Sequence, residues 1–180
     1  MVYFWGLFLV LAFLCALTDF IYYKIPNVIC GLILSLFLLK VAFLGFSSPL
    51  LTTIIAFGVT FIVGFLLFAL KAMGAGDAKF LTVCMPWIVD LGLANFMLSF
   101  AIYSLVFALF VVLGRQWIDM VRAKLLQTLN AVPLPLFERY ASGPIPMAGT
   151  EKKARKVLIP YGVPIFIAIV VEALRAGVLS

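Results

Sequence analysis

Long runs of apolar residues, separated by short polar breaks, follow one another along most of the chain. A helix needs about 20 mostly apolar residues to cross a membrane, and most of these runs are long enough. They are nearly unbroken in Leu, Phe, Ile and Val, which favours helices over strands. The pattern predicts spans at about 2–22, 28–45, 50–70, 78–92, 93–114 and 158–178. We therefore predict an all-α fold, a polytopic membrane helical bundle of about six transmembrane helices that forms one domain over residues 1–180.

The fourth run, residues 78–92, is unusually short. At 1.5 Å per residue it gives about 22 Å of helix, against a hydrocarbon core of about 30 Å. We interpret it as a short crossing with a recessed cytoplasmic end, because a re-entrant loop would send the basic residues that follow it outward. Recession places Asp77 near or below the membrane interface.

The composition excludes several functional classes. Hydrophobic residues make up 66% of the chain and charged residues 11%, and the mean hydropathy is +1.27, which no ordinary soluble domain has. There is no histidine, which excludes Ser-His-Asp triads, Cys-His dyads and histidine-based zinc protease motifs. Cys15, Cys30 and Cys84 form no CxxC pair, so we interpret them as small buried residues and predict no metal site.

Positive charges predict the orientation of the chain. Of the 13 Lys and Arg residues, all but Lys40 and Arg175 fall on one side of the predicted spans. That side is expected to be cytoplasmic, because Lys and Arg concentrate in cytoplasmic loops. The net charge of +6 follows from this topology, so the charge gives no reason to expect a nucleic-acid partner.

Residues 115–157 form the one substantial loop, predicted to be cytoplasmic. Its first part has apolar residues at helical spacing, namely Trp117, Ile118, Val121, Leu125 and Leu129. Because Arg115, Asp119 and Arg122 fall on the other face, the pattern predicts an amphipathic helix on the membrane surface. The second part is rich in Pro and predicts irregular structure. A solvated basic connector is the simplest role for the loop, and a lid is another.

Two aspartates fall at the inner ends of helices on the same predicted side of the membrane. Asp19 ends the first span, and Asp77 opens the fourth. Ionisable groups at membrane depth are costly and usually mark function, so this pair is a candidate for proton-handling chemistry. A structural role stays open, in which Asp77 caps a helix N-terminus and Asp19 pairs with Lys24.

Both aspartates lie in longer motifs. The first is Asp19-Phe20-Ile21-Tyr22-Tyr23-Lys24-Ile25-Pro26-Asn27, and the second is Gly74-Ala75-Gly76-Asp77-Ala78-Lys79. Together they resemble the two aspartate motifs of type IV prepilin peptidases, the GxGD aspartic proteases of membranes. The order and spacing of the two motifs make the resemblance specific, and the hydropathy plan agrees along nearly the whole chain. The segment Ile159-Pro160-Tyr161-Gly162-Val163-Pro164, which opens the last span, also resembles the C-terminal PYG element of that family. A packing or site-lining role is implied for it, and a helix start set by Pro and Gly is the structural alternative.

The resemblance implies that Asp19 and Asp77 are catalytic and that no cofactor is needed. Substrate-binding or site-supporting roles are expected for Gly74, Gly76, Lys79, Pro26, Asn27 and Tyr161. The implied substrate is a prepilin or pseudopilin precursor with a short basic leader, a Gly before the cut and an apolar helix in the membrane lipid. The protein would then be a multi-pass protein of the inner (cytoplasmic) membrane, with its active site toward the cytoplasm.

One departure from the family pattern narrows the expectation. Members that also N-methylate the processed pilin carry a cytoplasmic region with paired CxxC motifs, which this sequence lacks. The chain thus resembles the compact, peptidase-only branch associated with tight-adherence (Flp-like) pili, and no N-methyltransferase activity is expected. Archaeal preflagellin peptidases share the GxGD chemistry and stay an alternative.

Three readings from outside this family stay open at the level of sequence. Asp19 and Asp77 could bind an ion or relay protons in a small proton-coupled transporter or channel. They could instead hold helices together in a non-catalytic membrane assembly subunit. A Ser-Lys protease dyad built on Ser142 is a third possibility. The oligomeric state is not indicated by any pattern.

Overall fold

A computed structural model of the chain describes residues 1–130 and 159–178, which fold into helices. The helices are α1 (Val2–Tyr22), α2 (Asn27–Leu44), α3 (Leu50–Ala69), α4 (Ala75–Leu91), α5 (Leu93–Leu113), α6 (Arg115–Asn130) and α7 (Gly162–Arg175). No strand occurs in these two stretches of the chain. The predicted all-α helical bundle is confirmed.

Four of the helices, α1, α2, α3 and α5, are long and apolar enough to cross a membrane. Their bounds lie within one or two residues of the predicted spans. The fourth predicted span corresponds to α4, which has 17 residues and is short, as expected. The sixth is shorter than predicted: α7 has 14 residues, because Ile159 and Pro160 precede it outside any helix and Gly177 follows it at φ 64°.

The short helix α4 is the centre of the bundle. It packs against α2, α3, α5 and α7, and 11 of its 17 residues are buried. By contrast, α3 and α5 each bury three residues, and their outer faces expose large apolar side chains suited to lipid. α3 approaches α4 closely at Gly64, where a Cβ would lie 3.1 Å from the Cβ of Ala78. Small residues allow such close helix contacts in membranes.

Aromatic side chains and one ion pair join α1, α2 and α4 at the end of the bundle away from Asp19. Phe8 and Trp87 stack with ring centroids 4.5 Å apart, and Trp5 packs edge-on against Trp87 at 5.2 Å. Beside these rings the buried Lys40 forms an ion pair with Asp90. Lys40 was predicted only to be a charge on the outer side of the membrane, whereas it lies inside the bundle because Asp90 neutralises it there.

The predicted amphipathic helix is present as α6, and one residue of its predicted polar face, Arg122, turns toward the bundle instead. Ile118 and Arg122 are buried, while Trp117 and Val121 are exposed. The sequence pattern placed Arg122 on the polar face, and the structure turns it inward because its guanidinium finds partners at the end of α1. Residues 131–157 of the predicted loop, including Ser142, lie outside the described residues.

Candidate active site

Asp19 lies in the last turn of α1 and is buried, with 4% of its surface exposed. The backbone N–H of Gly162 donates a hydrogen bond of 2.8 Å to Asp19 Oδ2. Gly162 is the first residue of α7, so its N–H is one of the helix-terminal donors that have no partner inside their own helix. The N-terminus of α7 therefore lies against the Asp19 carboxyl group, and the dipole of α7 favours a negative charge there.

Asp77 lies in the first turn of α4 and is also buried, with 6% of its surface exposed. Gly74 lies against its carboxyl group, so that a Cβ on Gly74 would be 2.9 Å from Asp77 Oδ2. Asp77 thus lies in the first turn of α4, the position that the capping role left open by the sequence would require. Asp77 Oδ1 has no hydrogen-bond partner among the residues that the structure describes.

The two carboxyl groups are neighbours. Asp19 and Asp77 line the same cavity, and their carboxyl groups are close enough to interact electrostatically. The N-termini of α4 and α7 both point at this pair, so two helix dipoles converge on it. The arrangement can hold one proton and one negative charge in a buried site, which is what acid–base chemistry on a bound molecule requires.

A cavity of about 500 Å³ opens onto the pair. Its walls come from the end of α1, the link between α3 and α4, and the segment before α7. The residues lining it are Asp19, Tyr23, Phe68, Lys71, Ala72, Met73, Gly74, Asp77, Ile159 and Tyr161. The two carboxyl groups thus face a space large enough for several residues of an extended peptide, next to apolar side chains and one lysine.

Two of the predicted site-supporting residues line this cavity. Tyr161 forms part of its wall directly before α7. Gly74 lies against the Asp77 carboxyl, where an added Cβ would be 2.9 Å from Asp77 Oδ2. Gly74 therefore permits a close approach that a larger residue would block.

The other four predicted residues lie behind the cavity wall, where α2 begins beside α4. Lys79 is exposed, and its Nζ lies 3.4 Å from Asn27 Oδ1. A Cβ at Gly76 would lie 3.4 Å from Ile25, so Gly76 allows α4 to pack against the turn between α1 and α2. Pro26 is buried in that turn and precedes the first residue of α2. These residues pack the motif segments together and do not face the cavity.

Arg122 is a neighbour of the site that the sequence pattern did not indicate. Its Nε donates a hydrogen bond of 2.6 Å to the carbonyl oxygen of Ile21, and its guanidinium lies 4.0 Å from the ring centroid of Tyr23. Burial lowers the pKa of this guanidinium, while Tyr23, Asp119 and Asp19 favour its charged form. The sequence contains one indication of this position: Arg122 follows the apolar Ile118 by four positions, so the two residues lie on the same face of the helix.

Lys71 and Gly162 were also missed as site residues. Lys71 lies three positions before the start of the second motif, and its φ of 59° turns the chain there, between α3 and α4. Gly162 belongs to the PYG element, which predicted a helix start and no contact with Asp19. Within residues 1–130 and 159–178, no three acidic or cysteine side chains lie close enough together to hold a metal ion.

Comparison with known proteins gives one match. The model of the type IV leader peptidase family matches residues 6–113, which contain both aspartate motifs and end with α5. Searches of curated proteins and of solved structures found no significant match. Tyr161, Gly162 and Arg122 lie beyond the matched range, so their placement beside the two motifs is a finding of the structure alone.

Proposed function

Because the chain belongs to the type IV leader peptidase family, we propose that it is an aspartic endopeptidase that removes the short basic leader of Flp-like type IV prepilins. Membership of the family makes the protein a protease, and its apolar helices make it a membrane protein. The proposal adds the catalytic residues, Asp19 and Asp77, the substrate and the orientation. Cleavage would occur at the cytoplasmic face of the inner membrane.

The placement of Asp19 and Asp77 side by side at one cavity is the observation that carries the catalytic assignment. Two carboxyl groups that share a site do not both ionise easily, so they hold one proton between them. The ionised member would accept a proton from a water molecule as that water attacks the scissile carbonyl. The protonated member would polarise the carbonyl and later donate a proton to the leaving amine.

The position of the pair supports cleavage close to one membrane surface. Asp19 is in the last turn of α1 and Asp77 in the first turn of α4, so both lie at the same end of the bundle. Lys24, Lys71 and Lys79 are exposed at this end, and such positive charges favour the cytoplasmic side. A bond between a cytoplasmic leader and a membrane helix would be presented at that depth.

The cavity wall supports a peptide substrate. Phe68, Met73 and Ile159 offer apolar surface beside the carboxyl groups. Gly74 leaves the backbone uncovered next to Asp77, so an extended strand can approach the carboxyl group closely. Because the sequence resembles the peptidase-only branch of the family, we propose that cleavage is the only reaction of this chain.

Incubating the purified protein with a candidate prepilin in detergent, followed by intact-mass analysis, tests the proposal. We expect two products whose masses sum to that of the precursor plus one water, with the cut directly after a glycine of the leader. An intact precursor after long incubation with folded protein would count against a prepilin substrate. A cut inside the apolar helix would contradict the proposed site of cleavage.

A further inference from the structure

The C-terminal end of α1 carries both an active-site carboxyl group and part of the cavity wall. Asp19 lies in the last turn of α1, and Tyr23, directly after the helix, lines the cavity. The last carbonyl groups of a helix have no partner within that helix, so this end would fray unless another element held it. The contact that holds the end of α1 therefore determines the orientation of the Asp19 side chain.

Arg122 of α6 makes the holding contact. Its Nε donates a hydrogen bond of 2.6 Å to the carbonyl oxygen of Ile21, two residues after Asp19. This carbonyl belongs to the last turn of α1, where a positive charge is also favoured by the helix dipole. One side chain thus supplies both the hydrogen bond and the charge that the end of α1 needs.

The same guanidinium also covers Tyr23. Tyr23 has a φ of 50°, in the left-handed region that bulky residues rarely adopt, and its N–H returns to the carbonyl oxygen of Asp19. Such a conformation persists where the surrounding structure holds it in place. Arg122 lies 4.0 Å from the Tyr23 ring centroid, a distance at which a guanidinium is attracted to an aromatic face.

Stability alone is a poor reason to bury this arginine. Arg122 is 6% exposed, and its Nη2 atom is buried without a hydrogen-bond partner among the described residues. Burying a guanidinium with an unused donor costs free energy that an apolar side chain at the same position would not. The guanidinium does not line the cavity, so it would not touch the substrate.

From these contacts we propose that Arg122 is a positioning residue for the Asp19–Asp77 pair. By fixing the Ile21 carbonyl and the Tyr23 ring together, it holds Asp19 in the position where it accepts the Gly162 N–H and faces the cavity beside Asp77. It acts through α1 and takes no part in proton transfer. The inference rests on the proposed function, because it assumes that the pair performs the cleavage.

Cleavage kinetics of purified Arg122→Met and Arg122→Lys with one prepilin test the inference, with Lys124→Met as the matched control. Lys124 is exposed on the same helix and is not among the residues that line the cavity, so its replacement removes the same charge and keeps the two Arg122 contacts. We expect Arg122→Met to lower kcat about 10- to 100-fold with KM changed less than about threefold, because small misplacements of reacting groups carry losses of this size. Arg122→Lys should recover part of the loss, since an ammonium can bond the carbonyl but lacks the planar face that covers Tyr23. Lys124→Met should match the wild type.

A folded Arg122→Met protein with kcat within about threefold of wild type would overturn the inference, as would a raised KM with unchanged kcat. If Arg122→Met does not fold, the melting temperature and kcat of Arg122→Lys test the inference instead. An unaltered melting temperature with a lowered kcat supports positioning, and wild-type kcat contradicts it. Failure of the proposed function would look different: the wild type would not cleave, or Asp77→Asn would cleave as well as the wild type.

Discussion

Gly162 and Asp19, which are 143 positions apart in the sequence, are joined by a hydrogen bond of 2.8 Å from the Gly162 N–H to Asp19 Oδ2. The bond brings the N-terminus of α7 to the end of α1, next to the N-terminus of α4 and Asp77. Space at this point is scarce, because a Cβ on Gly162 would lie 2.9 Å from both Cβ and Oδ2 of Asp19. Only glycine allows α7 to approach so closely.

Gly162→Ala should therefore impair cleavage. The added methyl group must push α7 away from Asp19 or turn the carboxyl group, and we expect kcat to fall about 10- to 100-fold. Gly58→Ala on α3 is the matched control, because a Cβ there meets nothing within 4 Å. Prepilin cleavage rates of the two folded variants check the prediction. Wild-type kcat in Gly162→Ala would show that the close contact is not needed.

The ion pair between Lys40 and Asp90 should contribute to stability and not to chemistry. It lies beside Trp5, Phe37 and Trp87, away from the cavity, and Ser48 Oγ donates a further hydrogen bond of 2.7 Å to Asp90 Oδ1. Asp90→Asn leaves a buried ammonium unpaired, so we expect the free energy of unfolding to fall by about 3–5 kcal/mol.

Removing both charges should restore most of that loss, because no unpaired ion is then left. Reversible unfolding in detergent of Asp90→Asn and of the double variant Lys40→Met with Asp90→Asn measures the difference. Equal stability of Asp90→Asn and wild type would contradict a buried pair. Folded Asp90→Asn protein should cleave prepilin at the wild-type rate.

Orientation in the membrane can be measured with two introduced cysteines. Lys71 lies in the link between α3 and α4, and Ser47 lies between α2 and α3, and both are exposed. The three native cysteines are buried and should not react with a polar reagent. In intact cells, an impermeant maleimide should label Ser47→Cys and leave Lys71→Cys unlabelled, with the pattern reversed in inverted vesicles. Labelling of Lys71→Cys in intact cells would reverse the proposed orientation.

The helices were predictable because lipid imposes a simple rule on the sequence. A chain that crosses a membrane must satisfy its backbone polar groups within helices of a set length, so the apolar runs gave the bounds of α1, α2, α3 and α5 closely. The meeting of Asp19 and Asp77 also followed from the pattern, because both were placed at the inner ends of spans. The structure adds that the two carboxyl groups line one cavity.

Tertiary partners explain what could not be predicted. Arg122 was predicted to lie on a polar face because the helical pattern takes into account only whether a residue is apolar or polar. In the structure it turns inward because it binds the Ile21 carbonyl and the Tyr23 ring. Gly162 gave the signal of a helix start, and nothing local reveals that its N–H reaches Asp19. Lys40 was predicted to be a charge on the outer side of the membrane. Its burial is possible because Asp90, 50 positions later, pairs with it.

Replacing each carboxyl group of the pair by the amide of the same shape tests the central claim most directly. Asp19→Asn and Asp77→Asn keep the side-chain volume but cannot titrate, and Asp90→Asn, away from the cavity, is the matched control. With purified protein shown to be folded in detergent, we expect both site variants to lose prepilin cleavage by about 10²–10⁴-fold or more, since each member serves as an acid or a base. The folded Asp90→Asn protein should cleave like the wild type. Release of the leader by folded Asp77→Asn at a rate within about tenfold of wild type would contradict the catalytic assignment and leave Asp77 as a helix cap.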